Sequence, residues 1–172
     1  MQSPPIDLSK AESVEFKVRS EPWLKYRLDD ENLLFTRLVV LKIYKTDQYD
    51  AVGQPVYIWT SQNLFTTVAK KKGSPSPTPL TSSDPRDYNT LPADFTRVGA
   101  EEWNVYETLD GSVISVKLEV TNVMKTDKFG PDGEPFYMIN AQTVAKVKVN
   151  PNLIKKQTVL PKESSERKPQ YG

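Results

Sequence analysis

Three carboxylates, Asp127, Asp132 and Glu134, lie on one short Gly-containing stretch, KTDKFGPDGEPFY at residues 125–137. Carboxylate oxygens at that density suit a hard cation such as calcium or magnesium. The spacing, however, does not fit the twelve-residue calcium loop. Residues 45–57 also repeat the phrase as KTDQYDAVGQPVY, with Val52 and Gln54 where Asp132 and Glu134 would stand. The cluster therefore reads as a solvated hairpin tip, and neither metal nor cofactor is expected.

What the two phrases share is Lys45-Thr46-Asp47 and Lys125-Thr126-Asp127. A Lys–Asp pair can serve as acid and base only where burial moves its pKa values, and a hairpin tip rarely provides that. In a structural role, Asp accepts backbone N–H bonds at the start of the turn and Thr stiffens the strand end. In a functional role, the six residues are two equivalent binding points, and they are carried forward as candidates on that basis.

Other catalytic chemistry is scarce. The chain has no His and no Cys, which removes imidazole bases, thiolate nucleophiles, disulfides and His- or Cys-ligated zinc. No serine has a His to activate it, and no Gly-rich phosphate loop appears among the 7 glycines. Trp23, Tyr26, Trp103 and Tyr106 could stack single-stranded bases beside Lys25 and Arg27, but the basic neighbours are not repeated around Tyr106. Core packing is the expected role of these aromatics. The basic run AKKKGS at 69–74 opens a Pro-rich segment and reads as solvated. With 23 basic against 22 acidic residues, the net charge of +1 disfavours a dedicated nucleic-acid binder.

The elements that must position these residues come from the repetition itself. Residues 23–68 match 103–148 without a gap at 12 identities, including Trp23/Trp103, Tyr26/Tyr106, Asp30/Asp110, Lys45/Lys125 and Tyr57/Tyr137. Two copies favour a pseudo-twofold body in which each half covers the apolar face of the other. The boundaries expected are a flexible segment at 1–12, a first β repeat at 13–69, a Pro/Ser/Thr-rich linker at 70–92, a second repeat at 93–150 and a tail at 151–172.

Each repeat reads as strands. Ile114, Val116, Leu118 and Val120 alternate with Ser115, Lys117, Glu119 and Thr121, the mark of a half-buried strand. Asp110-Gly111 before it signals a hairpin, and the loss of phase after Val120 predicts a bulge or bend near Asn122. The expected fold is all-β: an internally duplicated antiparallel β-barrel or two-sheet sandwich of six to eight strands, with little helix.

The two repeats differ on one face. Phe35, Val39 and Leu41 occupy the side on which the second repeat has Ser115, Glu119 and Thr121, so this strand is apolar on both sides and needs cover on both. A terminus or the linker could supply the cover, as could a strand shared between the two halves; so could another subunit or a partner, which makes Phe35, Val39 and Leu41 the candidate interface. The function expected is a non-catalytic binding or assembly protein, not an enzyme, with a protein partner or self-association. The alternative is a small-barrel protein binding single-stranded nucleic acid. No apolar run reaches the roughly 20 residues of a membrane span, and the N-terminus lacks a charged-then-apolar leader pattern, so a cytoplasmic location is expected.

Overall fold

The structure, a computed structural model, describes residues 5–156; residues 1–4 of the N-terminal segment and 157–172 of the C-terminal one lie outside it. The described chain is all-β. Its strands are β1 (Glu12–Val14), β2 (Phe16–Ser20), β3 (Leu24–Leu28), β4 (Leu33–Tyr49), β5 (Pro55–Val68), β6 (Thr90–Pro92), β7 (Phe95–Val98), β8 (Asn104–Thr108), β9 (Val113–Phe129) and β10 (Pro135–Lys148). Only three short 3-10 turns accompany them, at Leu8–Lys10, Pro85–Asp87 and Pro151–Leu153.

The strands form two five-stranded antiparallel sheets. In the first, β5 pairs with β4, whose other edge takes β3 and then β7, with β1 further along. In the second, β10 pairs with β9, which takes β8 and then β2, with β6 further along. The short arms therefore cross: β1 joins β4 while β2 joins β8, and β6 joins β9 while β7 joins β3. Among the described residues the strand count is ten, not six to eight. Residues 13–19, which read as one short strand in the sequence, are divided between two sheets with Glu15 as the break. Residues 93–98 hold β7 alone, and its companion β6 lies within the segment expected as linker.

The spans of β3, β4 and β5 recur in β8, β9 and β10 with the same lengths of 5, 17 and 14 residues. A straight 17-residue strand would run about 56 Å. Both long strands instead slip register once in mid-course: Val40 faces Ser61 and Lys42 faces Thr60, while Val120 faces Ala141 and Asn122 faces Asn140. Leu41 and Thr121 are the extra residues, and such bulges bend and twist a strand.

That bend lets each long strand serve two apolar clusters. Leu38, Val40, Ile43 and Tyr57 of the first sheet pack with Tyr106, Ile114, Val116 and Leu118 of the second. In the other cluster Leu24, Tyr26, Leu28 and Leu34 pack with Val120, Val123 and Tyr137. Each such side chain contributes about 1.5–3 kcal/mol on burial, and neither cluster can be assembled from one sheet alone. The arms seal the ends with edge-to-face ring pairs, Phe16 on Tyr106 at 5.7 Å and Phe95 on Tyr26 at 6.0 Å.

The segment at 70–92 does not simply bridge. Gly73 N–H donates to Gly133 O (2.7 Å), Ser76 N–H to Phe129 O (3.1 Å), and Tyr88 lies 5.5 Å from the Phe136 ring. Beyond β10, Leu153 and Ile154 pack on the first cluster, and Lys155 N–H donates to Gly53 O at 2.8 Å.

Candidate functional site

The repeated residues meet across the boundary between the two halves. Asp110, in the turn before β9, accepts the Tyr57 hydroxyl at 2.7 Å and lies 3.9 Å from the Lys45 ammonium. Asp30, in the turn before β4, accepts the Tyr137 hydroxyl and the Lys125 ammonium, the latter at 2.8 Å. Each triad thus takes its Asp from one half and its Lys and Tyr from the other. Burial works to raise both carboxyls, but hydrogen bonds outweigh it and hold each below 3.8: from Lys125 and Tyr137 to Asp30, and from Thr108 and Tyr57 to Asp110. Burial together with the neighbouring carboxylate pushes the Tyr57 phenol up to about 12 and raises Tyr137 as well.

Thr46 and Thr126 are buried within a second register slip at the hairpin ends, where Lys45 faces Tyr57 but Tyr49 faces Pro55. The Thr46 hydroxyl donates to Val56 O (2.8 Å) and accepts from Gln48 N–H (3.2 Å); Thr126 does the same with Phe136 O (2.7 Å) and Lys128 N–H (3.2 Å). Each hydroxyl stands in for ladder bonds that the slip removes. Of the six candidate binding points, Lys45 and Lys125 therefore join the cross-half triads, and Thr46 and Thr126 clamp the strand ends.

Asp47 and Asp127 are both exposed and diverge in their surroundings. Asp127 accepts from Asn89 N–H (3.2 Å) and its side-chain amide (3.1 Å), while Asp47 lines a shallow cleft with Asp7 and Lys10. Lys125 lines a different cleft, with Asp30, Asn32 and Lys70–Lys72. The acidic trio is also dispersed: Asp132 accepts Glu134 N–H (3.0 Å), and the Glu134 carboxylate turns to the Thr67 hydroxyl (2.7 Å). Among the described residues no group of three or more carboxylates is arranged to hold a metal ion.

Tyr26 and Tyr106 are core residues as expected, but Trp23 is not, being 44 % exposed. Trp23 carries the Arg37 guanidinium at 5.7 Å, and Arg37 is ion-paired to Glu21 at 3.1 Å. Trp103 carries Lys117 at 4.9 Å and Lys146 at 4.5 Å, with Lys117 ion-paired to Glu101 and to Glu119 (2.8 Å). These cation–π contacts lie on the outer faces of the sheets.

It is on those outer faces that the hairpins part company. In the first sheet the outward rows are Leu33 with Val68, Phe35 with Thr66, Arg37 with Leu64, and Val39 with Gln62. In the second they are Val113 with Lys148, Ser115 with Lys146, Lys117 with Val144, and Glu119 with Gln142. Phe35 is half-buried with the Lys25 ammonium 5.9 Å from its ring, and Val39 is half-buried. Leu41 is 55 % exposed, Leu64 39 % and Val68 52 %, and no described segment covers them.

Leu64 and Val68 are the members of this surface that the strand-by-strand reading did not single out. The signal was nevertheless present: residues 51–69 contain no charged side chain. Among the described residues β5 has β4 as its only strand partner, so its other edge leaves backbone N–H and C=O groups that no described strand pairs. Exposed apolar side chains beside an open edge can hold another polypeptide. Among the described residues no helix is long and apolar enough to cross a membrane. Comparison with family models, curated proteins and solved structures returned no match for this chain.

Proposed function

We propose that the chain is a non-catalytic, cytoplasmic binding or assembly protein whose interaction surface is the outer face and edge of the β4–β5 hairpin. The observation that carries this reading is the exposed run of Leu41, Leu64 and Val68 beside Phe35 and Val39, where the matching positions of the other hairpin are Thr121, Val144, Lys148, Ser115 and Glu119. Apolar surface of that kind on an otherwise well-salted β body favours a protein partner. Exposed Arg27 lies beside Leu33 and Val68, but Lys25 is engaged with Phe35, and Arg37 with Glu21 and Trp23. That supports a protein over a single-stranded nucleic acid as ligand.

The scaffold in this reading is a duplicated β unit, with repeats at 13–69 and 93–150 joined through 70–92, arranged about a pseudo-twofold axis. The equal strand spans, the crossed arms and the two triads each favour it. The Lys-Thr-Asp units then belong to the scaffold and the outer face of the first repeat carries the function.

A solvatochromic apolar dye tests the surface. The intact chain should bind it, and the variant Phe35→Ser/Val39→Glu/Leu41→Thr, which borrows the residues of the second hairpin, should lose most of the signal while keeping its β spectrum. Equal dye binding by both proteins would refute the assignment. Binding of a single-stranded oligonucleotide at low ionic strength, weakening with salt, would point to the nucleic-acid reading instead.

A further inference from the structure

The two hairpins each end a sheet on an open strand, and the two open strands are not alike. β5 carries no charge over its 14 residues, whereas β10 carries Lys146 and Lys148, both exposed, at the positions that correspond to Thr66 and Val68. Lysine on an edge strand is a standard barrier to strand addition, because pairing would strip water from the ammonium or set it against another charge. One edge is therefore guarded and the other is not.

We infer that the β5 edge pairs antiparallel with the β5 edge of a second copy of this chain, joining two five-stranded sheets into one across a twofold axis. This rests on the reading of the β4–β5 hairpin as the interaction surface and names its occupant. Three observations select a second copy. A strand that meets its own copy about a perpendicular twofold axis does so antiparallel, the geometry used by every other pair in the molecule. An uncharged strand places no like charges opposite each other in any antiparallel register, which few self-pairings satisfy. The pairing also sets Leu64 and Val68 beside their counterparts, so exposed apolar side chains on each copy gain apolar neighbours.

The asymmetry between the edges has its own consequence. If both were open, β5 of one copy could add to β10 of the next, a head-to-tail contact that leaves a free edge at each end and grows into a fibre. Lys146 and Lys148 block that route, so the assembly closes at two.

Sedimentation equilibrium on the full chain should give a concentration-dependent dimer. Thr66→Lys/Val68→Lys, which installs the β10 guards on β5, should raise the dissociation constant about tenfold or more with the β spectrum unchanged. Lys146→Thr/Lys148→Val, which removes them from β10, should produce species larger than a dimer. Because the chain has no Cys, a single cysteine introduced at successive positions from 62 to 67 can form a disulfide only between copies. Paired strands hold facing Cα atoms about 4.5–5.5 Å apart, within disulfide reach, so one or two positions should cross-link and report the register. The same scan over 142–147 should give none. A chain that stays monomeric at every concentration, or cross-links as readily through β10, overturns the inference. If that monomer still binds the apolar dye through Phe35, Val39 and Leu41, the proposed function survives and only its occupant is wrong.

Discussion

The β4–β5 and β9–β10 hairpins have the same length, the same bulge positions and the same buried phase, yet they share their sequence selectively. Their inward residues and the residues at the seam are kept in kind: Leu34 and Ile114, Val40 and Val120, Ile43 and Val123, Tyr57 and Tyr137. Part of the outward set differs in chemistry, Phe35 and Ser115, Val39 and Glu119, Leu41 and Thr121, Val68 and Lys148, while Leu33 and Val113, Arg37 and Lys117, Gln62 and Gln142, and Leu64 and Val144 are kept in kind. Inner positions answer to the packing density of a shared interior, where a change of one methylene is felt. Outer positions are packed less tightly, although Ser115 and Lys117 are buried there too, with Lys117 ion-paired to Glu101 and Glu119 against the Trp103 ring. The two hairpins thus share a buried interior and differ on part of one outer face.

The sharpest way to break this comparison is to delete matched core side chains. Leu34 and Ile114 are both fully buried, one in each apolar cluster. Leu34→Ala and Ile114→Ala should each cost about 2–5 kcal/mol in denaturant unfolding, and by similar amounts. A large cost on one side and little on the other would mean that the two clusters are not equivalent supports.

The cross-half triads come next. Asp30→Ala removes the carboxylate that the Tyr137 hydroxyl and Lys125 share, and Asp110→Ala removes the carboxylate acceptor of the Tyr57 hydroxyl while Lys45 keeps Glu12 at 3.5 Å; each should cost about 1–3 kcal/mol. Both carboxyls sit below 3.8 in the folded chain. The stability they supply is therefore complete above about pH 4 and is lost as pH falls through their lowered folded values. Each variant should show a shallower acid limb than the parent chain. At the alkaline end Tyr57 and Tyr106 are held up at about 12. Their contribution is full below about pH 10 and disappears as pH rises towards their folded values, which a phenolate absorbance titration follows.

Two smaller tests use places where one half has the less favourable residue. Thr36 is fully buried and its hydroxyl has no hydrogen-bond partner; the matching residue is Val116. Thr36→Val should stabilise the chain by about 1 kcal/mol by removing an orphan polar group. Glu31 adopts φ 64° in the turn where the other half has Gly111 at φ 88°. Glu31→Gly should stabilise by about 0.5–1 kcal/mol, since relief of the left-handed backbone outweighs an exposed ion pair to Lys70. Thermal unfolding reads both.

Much of this was legible before any coordinates. The alternation around Ile114–Val120 located β9 and its buried face, and Asp110-Gly111 located the turn before it. The loss of phase after Val120 announced the bulge that the register places at Thr121. The apolar outer positions Phe35, Val39 and Leu41 stood out for the same reason, because alternation is a local property that one strand displays by itself. The arms were harder. Residues 13–19 look like one strand, and nothing local says that the chain changes sheets at Glu15. The Lys-Thr-Asp units were visible as repeats, but their partners Asp110, Asp30, Val56 and Phe136 are named only by the register.

By itself the sequence determined the strand periodicity, the turns, the inward and outward residues, and the absence of His and Cys chemistry. Those follow from side-chain type and from spacing along a single backbone. Tertiary structure decided which sheet each arm joins, that Asp30 and Asp110 serve the opposite half, and that β5 is left with an open edge. Each of these depends on strands far apart in the chain competing for the same row of backbone groups, and that competition is settled only when the whole interior closes.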